Sequence, residues 1–234
     1  ESGILEFLRY LGPEMKKAGV QMVKPSEILT SKIMEDFSIP HPISWADAEK
    51  DGSAWIENRK QKNAFRAVQR AQSFSEDQHI WRCLQISDQF YYMSCKHGSC
   101  GEVHSYFSHQ PEHEAFITYM DIIADFEERS INTMEKKKYL YPLRSMTVDE
   151  AFYFSSPFGY TGHVAFDLDQ FAEMLQIVPA DSISFHHQRG DFASWCRFEI
   201  KDEPLAQAIE QATNRQELIL AADTRRQELW AGLR

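Results

Sequence analysis

The sequence predicts a mainly α-helical protein that begins with a short α/β segment. Apolar residues recur at helical spacing through long stretches of the first two thirds of the chain. In the last third, residues that start and stop helices follow each other at short intervals. Apolar residues make up 43% and aromatic residues 13% of the 234 positions, enough for a hydrophobic core in one large domain or two smaller ones.

Residues 1–42 have the pattern of a fragment of an α/β layer. A helical run is followed by an alternating stretch, 20–23, which predicts a strand, and Ser26 then predicts the N-cap of a short helix. The helical run, which Gly12 and Pro13 are expected to end, contains Ile4, Leu5, Leu8 and Leu11. A single strand cannot bury both of its faces, so we expect this segment to end a larger sheet, and the chain to be part of a longer protein.

Residues 43–138 predict a three-helix bundle. Apolar residues at helical spacing predict helices over 43–71, 76–93 and 112–138, with a polar loop between the second and the third. Residues 139–146, which include Pro142 and follow a run of lysines, are interpreted as a linker.

Residues 147–234 predict a second helical domain. A capping-box pattern at 147–150 predicts a helix start, and Gly190 separates two later helices. The predicted helices cover 168–178, a segment that begins at Pro179, 191–198, 203–213 and 215–231.

Composition excludes several classes of protein. Acidic residues outnumber basic ones 35 to 25, and the net charge of −10 argues against a nucleic-acid partner. The chain has no apolar run of the ~20 residues that a membrane span needs, and its start does not resemble a secretory leader. Four cysteines are ordinary usage. We therefore expect a soluble, cytoplasmic protein without a membrane partner.

Two tryptophans and three acidic residues are concentrated in residues 43–55. Tryptophan rings stack on the apolar faces of sugars, and carboxylates accept hydrogen bonds from hydroxyls, so Trp45, Asp47, Asp51 and Trp55 are candidate sugar contacts. The alternative is that both tryptophans anchor the bundle while the acids cap and solvate a helix. Asp47 and Asp51 are four residues apart on one helix face, which does not suit a catalytic pair on opposite sides of a cleft.

Two other clusters favour structural roles. Two cysteines and two histidines in residues 95–104 could bind zinc, but their spacing departs from the usual knuckle, and a solvated loop is the alternative. His186, Arg189 and Asp191 could bind an anion or relay a proton. The alternative there is that Asp191 caps a helix and pairs with Arg189. We expect no metal and no cofactor, since the chain also lacks a phosphate-binding glycine loop.

Residues 1–131 contain an ordered series of longer motifs: SGILEFL (2–8), KPSE (24–27), ISWAD (43–47), SAWIEN (53–58), LQISDQFYYMS (84–94) and VHSYF (103–107). In these motifs the chain resembles the C-terminal half of a glycoside hydrolase family 57 enzyme of the α-amylase type. The resemblance implies that residues 1–40 end a catalytic (β/α)7 barrel and that the bundle packs against it. It also places the 45–58 segment beside the active site, with Trp45, Asp47, Asp51, Trp55 and Asn58 as substrate contacts.

The sequence departs from the family pattern at two places. Lys50-Asp51-Gly52 replaces the usual Arg-Asp-Leu, and Ile56-Glu57-Asn58 replaces the usual Leu-Gly-Asn. Residues 147–231 resemble a helical domain of unknown function, which implies no activity.

The resemblance implies that the nucleophilic glutamate and the acid/base aspartate precede this chain. The expected function is the C-terminal portion of an α-glucan-acting hydrolase or transglycosylase, inactive alone. The whole protein would be a retaining α-glycosidase of α-amylase or 4-α-glucanotransferase type, with a maltooligosaccharide and an upstream barrel as partners. One alternative is a non-catalytic docking or regulatory helical module that packs on a separate barrel or protein, and a weaker one is a metal-binding protein.

Overall fold

The computed structural model describes residues 3–29, 32, 35–44, 49–74, 78–96 and 110–233. By spatial contact the chain divides into two units, Glu1–Pro42 and Ile43–Arg234. The described residues are mainly helical, which confirms the predicted class, and they include one two-stranded sheet. Within these ranges, every helix is too short or too polar to cross a membrane.

The first unit contains helix α1, Ile4–Lys17, and helix α2, Pro25–Ile28. Helix α1 continues through Pro13, where the sequence predicts a stop, and buries none of its residues. Helix α2 begins with Pro25 rather than behind a Ser26 cap, since a proline at the first position is already fixed at a helical φ. The predicted strand at 20–23 is wrong, because these residues have no regular structure. The barrel end stays a prediction.

The second unit opens with helices that are shorter than the sequence predicts. They are α3 (Ser53–Ile56), α4 (Arg59–Ala71), α5 (Gln78–Leu84), α6 (Ser87–Tyr91), α7 (Glu112–Asn132) and α8 (Lys137–Leu140). The predicted 43–71 helix is interrupted at Asn58, which makes a reciprocal capping box with Gln61 at the start of α4. Helix α4 packs along α7, and both bury residues in one apolar core that includes Ala64, Val68 and Ile123.

A β-hairpin follows, which the sequence analysis did not predict. Strand β1, Phe152–Ser156, pairs antiparallel with β2, Gly159–Ala165. The capping-box pattern before it does form, since Thr147 and Glu150 exchange hydrogen bonds of 3.2 and 3.3 Å, but it closes a turn instead of starting a helix. Phe152 and Phe154 alternate into the core, where their rings contact those of Phe171, Phe192 and Trp195.

Five helices complete the chain close to their predicted positions: α9 (Leu168–Ile177), α10 (Ala180–Arg189), α11 (Asp191–Phe198), α12 (Glu203–Gln211) and α13 (Arg215–Ala231). Asp167, Asp202 and Asn214 cap three of them by accepting the backbone N–H three residues further on. Helix α9 packs against α13 and β2, and α11 against α12.

The segment interpreted as a linker, 139–146, lies largely in the core. Leu140, Leu143, Ser145 and Met146 are at most 4% exposed. We call residues 139–146 the connecting segment. Hydrogen bonds tie it to residues that precede and follow it in the chain: the Ser145 N–H donates to the Glu127 carboxylate of α7 at 2.5 Å, and the Met146 N–H donates to the Phe166 carbonyl at 2.7 Å. The guanidinium of Arg144 donates to the Glu199 carbonyl at 2.9 Å. The division of the second unit into a bundle and a C-terminal domain stays a prediction.

Candidate functional site

The structure describes three of the five predicted sugar contacts. Asp51, Trp55 and Asn58 lie at and around the short helix α3, whereas Trp45 and Asp47 lie outside the described residues. The region they form is called the α3 site. It comprises these three residues and the polar groups that contact Lys96.

Lys96 contacts several polar groups of the α3 site. Its Nζ donates to the Ser53 hydroxyl at 2.5 Å and lies 3.2 Å from a carboxylate oxygen of Glu49 and 3.6 Å from one of Glu57. Both glutamates are about half exposed, with 53% and 55% of their side-chain surface in solvent. Two carboxylates therefore remain open to solvent around one ammonium group, an arrangement that can accept hydrogen bonds from a polyol.

Hydrogen bonds lower the pKa of two carboxylates of the α3 site, those of Glu49 and Asp51. A hydrogen bond to its own backbone N–H, together with one from Lys96, lowers the pKa of Glu49. Asp51 Oδ1 accepts the Ser53 N–H at 2.8 Å, and the side-chain and backbone hydrogen bonds of Ser53 lower the pKa of Asp51. These two groups are suited to accept hydrogen bonds at neutral pH, and they are poorly suited to donate a proton as a general acid.

Asn58 and Trp55 both have structural contacts. The Asn58 Oδ1 accepts the Gln61 N–H at 2.9 Å, and its Nδ2 donates to the Met93 carbonyl at 2.8 Å. Trp55 is half-buried and packs against the bundle core, with its ring centroid 6.3 Å from that of Tyr91. Asn58 therefore has a structural role as a helix cap. Trp55 contacts the core as the structural alternative expects of a tryptophan, but it stays partly exposed.

Three members of the site were not predicted from the sequence: Lys96, Glu49 and Glu57. Glu57 was noted only as a departure from a family pattern, and Lys96 lies in a loop considered for metal binding. Lys96 is more than 35 residues from the helix it contacts, so local patterns could not connect the two.

The other two clusters have mainly structural contacts where they are described. Cys95 accepts a weak hydrogen bond from Asn58 Nδ2 at 3.6 Å, while 97–104 lies outside the described residues. No three His, Cys, Asp or Glu side chains in the described part of the chain are arranged to hold a metal ion.

His186 is buried and holds the hairpin. Its Nε2 accepts the Ser155 N–H at 2.7 Å, so the proton lies on Nδ1, which donates to Asp191 at 2.8 Å. Asp191 also pairs with Arg189, as the sequence analysis expected, but the N-cap position belongs to Gly190 instead. These contacts join the hairpin to α10 and α11.

Glu127 is a carboxyl group with a raised pKa, yet it cannot contact a substrate. It is fully buried, and this burial raises its pKa to about 7, against the opposing effects of Arg70 and of hydrogen bonds from Ser145. Glu127 instead joins α7 to the connecting segment through its hydrogen bonds with Ser145.

Comparison with known proteins indicates a relationship to an amylase-like protein. The chain is 35% identical over 146 residues to the protein named "Putative alpha-amylase" from Methanocaldococcus jannaschii. The match covers 54% of this chain and 31% of that protein, so the chain spans about a third of its relative's length. No protein-family model matches the chain, and no solved structure matches it.

Proposed function

We propose that this chain is the C-terminal portion of an α-glucan-acting glycoside hydrolase or transglycosylase. The similarity to a protein named as an α-amylase carries this proposal. In it, the catalytic carboxylates belong to a part of the protein outside this chain, and the parent enzyme is a retaining α-glycosidase of family 57. The first unit would form the C-terminal end of that enzyme's catalytic barrel.

The α3 site has the chemistry of a glucan contact. The half-buried Trp55 ring offers an apolar surface, and the exposed carboxylates of Glu49 and Glu57 accept hydrogen bonds. In this proposal Asp51 and Asn58 shape the surface through the Ser53 and Met93 backbone contacts, and Trp45 and Asp47 complete it.

Calorimetric titration with maltoheptaose tests this role, with cellohexaose as the matched β-linked control. Trp55→Ala is expected to weaken maltoheptaose binding by about fivefold, whereas Trp55→Phe keeps an aromatic face and most of the affinity. Glu210→Gln, which changes an exposed acid that pairs with Arg197 far along the chain, serves as the charge control. Equal binding of both oligosaccharides, or none of either, would contradict the proposal.

A second candidate is a non-catalytic module that docks on a separate barrel or protein. The observation in its favour is that α1 buries none of its residues and exposes Ile4, Leu5 and Leu8 by 53%, 73% and 53%. The intact mass of the protein from its natural source separates the two. A mass near twice 27.3 kDa or more supports the enzyme portion, and a mass of 27.3 kDa with no glucan binding supports docking.

A further inference from the structure

The β-hairpin exposes three aromatic side chains. Tyr153 is 40%, Tyr160 56% and Phe158 92% exposed. We call these three residues the hairpin patch. Their opposite neighbours Phe152 and Phe154 lie in the core. Aromatic rings grouped on an exposed surface, and not merely scattered, are typical of a binding surface.

Two of the three rings, those of Tyr153 and Tyr160, are held against each other. The Tyr153 and Tyr160 centroids are 6.0 Å apart with the planes 61° to each other, and the Tyr153 hydroxyl donates to the Val148 carbonyl at 2.8 Å. The strand beneath them is anchored by the Ser155 N–H, which donates to His186. Because these two rings are already ordered before any ligand arrives, binding costs little further ordering of them.

Charged groups of both signs border the rings. An Arg59 Nη1 donates to the Gly162 carbonyl in β2. Burial raises the pKa of the Tyr160 phenol while the nearby Arg59 cation opposes that rise. Burial likewise raises the pKa of Tyr153, and Tyr160 and the Asp149 carboxylate add to it. A guanidinium near one ring and a carboxylate near the other favour a neutral, hydroxyl-rich ligand over an anion.

We propose that the hairpin patch, with Arg59, binds a pyranose unit of an α-glucan. The C–H face of the sugar stacks on Tyr160 and Phe158, and the remaining N–H groups of Arg59 donate to its hydroxyls. Arg59 directly follows Asn58 of the α3 site, so the start of α4 contributes a residue to each surface. This assignment rests on the proposed function and adds a second sugar contact to it.

Titration of the full chain with maltoheptaose, followed by calorimetry, tests the assignment. Tyr160→Ala and Phe158→Ala are each expected to raise the Kd about fivefold, and Tyr160→Phe to leave it nearly unchanged because the ring remains. Phe198→Ala is the matched control, since Phe198 is a 64% exposed aromatic residue on α11, outside the hairpin. Circular dichroism melting of each variant shows that it is folded.

The outcomes separate this inference from the proposed function. If Trp55→Ala weakens binding and the two hairpin variants do not, the hairpin assignment is overturned and the proposed function stands. If the hairpin variants weaken binding and Phe198→Ala does not, the assignment is supported, whatever Trp55→Ala does. Absence of any maltoheptaose binding overturns both. Unchanged glucan affinity with reduced self-association of Phe158→Ala overturns the sugar assignment in favour of a protein partner.

Discussion

Asn58 was predicted as a substrate contact, but its side-chain Oδ1 and Nδ2 both make hydrogen bonds within the protein. We expect Asn58→Ala to lower the free energy of unfolding by about 2 kcal/mol, because it loses the helix cap and the hydrogen bond to Met93. Asn58→Asp keeps the acceptor for the Gln61 N–H and should lose less. Urea unfolding followed by circular dichroism measures both. Normal stability of Asn58→Ala with weakened maltoheptaose binding would instead assign the residue to substrate.

Glu127 links stability to pH. It accepts the Ser145 N–H at 2.5 Å in the core, and burial raises its pKa from 4.5 to about 7. Between these pH values the folded protein holds a proton that the unfolded chain has released. The free energy of unfolding contributed by this group therefore falls as the pH rises from about 4.5 to 7, and is constant above.

Glu127→Gln is expected to remove this fall in the free energy of unfolding, which totals up to about 3 kcal/mol between pH 4.5 and 7. The amide stays neutral at every pH, and its oxygen still accepts the hydrogen bond from Ser145. Urea unfolding at intervals from pH 4.5 to 8 measures it. Glu114→Gln, an exposed change on the same helix α7, is the control and should follow the parent protein. A Glu127→Gln slope equal to that of the parent protein would show that Glu127 is ionised throughout.

At the scale of elements, Gly190 makes the sharp junction between α10 and α11 possible. Its φ is +71°, and a Cβ there would meet no atom within 4 Å, so any cost of substitution is conformational. We expect Gly190→Ala to lower the free energy of unfolding by about 1 kcal/mol. Gly190→Asn should lower it less, because asparagine tolerates the left-handed region. The thermal midpoints of both variants report this, and an unchanged midpoint for Gly190→Ala would mean that the junction adopts another conformation.

The helices and the hairpin differ in how far local sequence predicts them. Helices α9, α12 and α13 were predicted close to their observed positions because their caps bond to N–H groups only three residues away. The hairpin was not, although Phe152 and Phe154 alternate with exposed residues as in a strand. Its aromatic residues find their partners on α9 and α11, Phe171 and Phe192, and no local window contains those contacts.

At the scale of the whole second unit, Arg70 connects elements that are far apart in the chain. Its guanidinium pairs with Asp167, lies 3.2 Å from Asp169 and donates to the Leu143 carbonyl at 2.6 Å. One side chain from α4 thus holds both the connecting segment and the start of α9. Because Asp167 is 1% exposed, loss of Arg70 would leave a buried carboxylate without its counter-ion.

We therefore expect Arg70→Met to lower the free energy of unfolding by about 3–5 kcal/mol. Arg66→Met removes a more exposed pair with Glu173 one turn away and should cost less than about 1 kcal/mol. Hydrogen exchange of the full chain should show faster exchange in the connecting segment and α9 together for Arg70→Met. Faster exchange in α9 alone would mean that Arg70 does not hold the connecting segment.

The α3 site shows the same limit as the hairpin. The acidic and tryptophan-rich run of 43–55 pointed to the region of α3, yet Lys96, which gathers its carboxylates, comes from a segment after α6. The sequence pattern predicts a site among residues 43–58, and chain packing adds the Lys96 cation to that region.

Sequence alone was sufficient for the mainly helical class and for the helix ends of the last third, because hydrophobic periodicity and capping act within a few residues. Only the tertiary structure shows that residues 139–146, which the sequence predicts as a linker, are largely buried. Pro142 and the neighbouring lysines indicate an exposed link, but Ser145 meets Glu127 and Arg144 meets Glu199, 18 and 55 residues away in the chain. The packing of whole helices brings such distant partners together. A polar group can be buried without a loss of stability only where that packing supplies it with a hydrogen-bond partner.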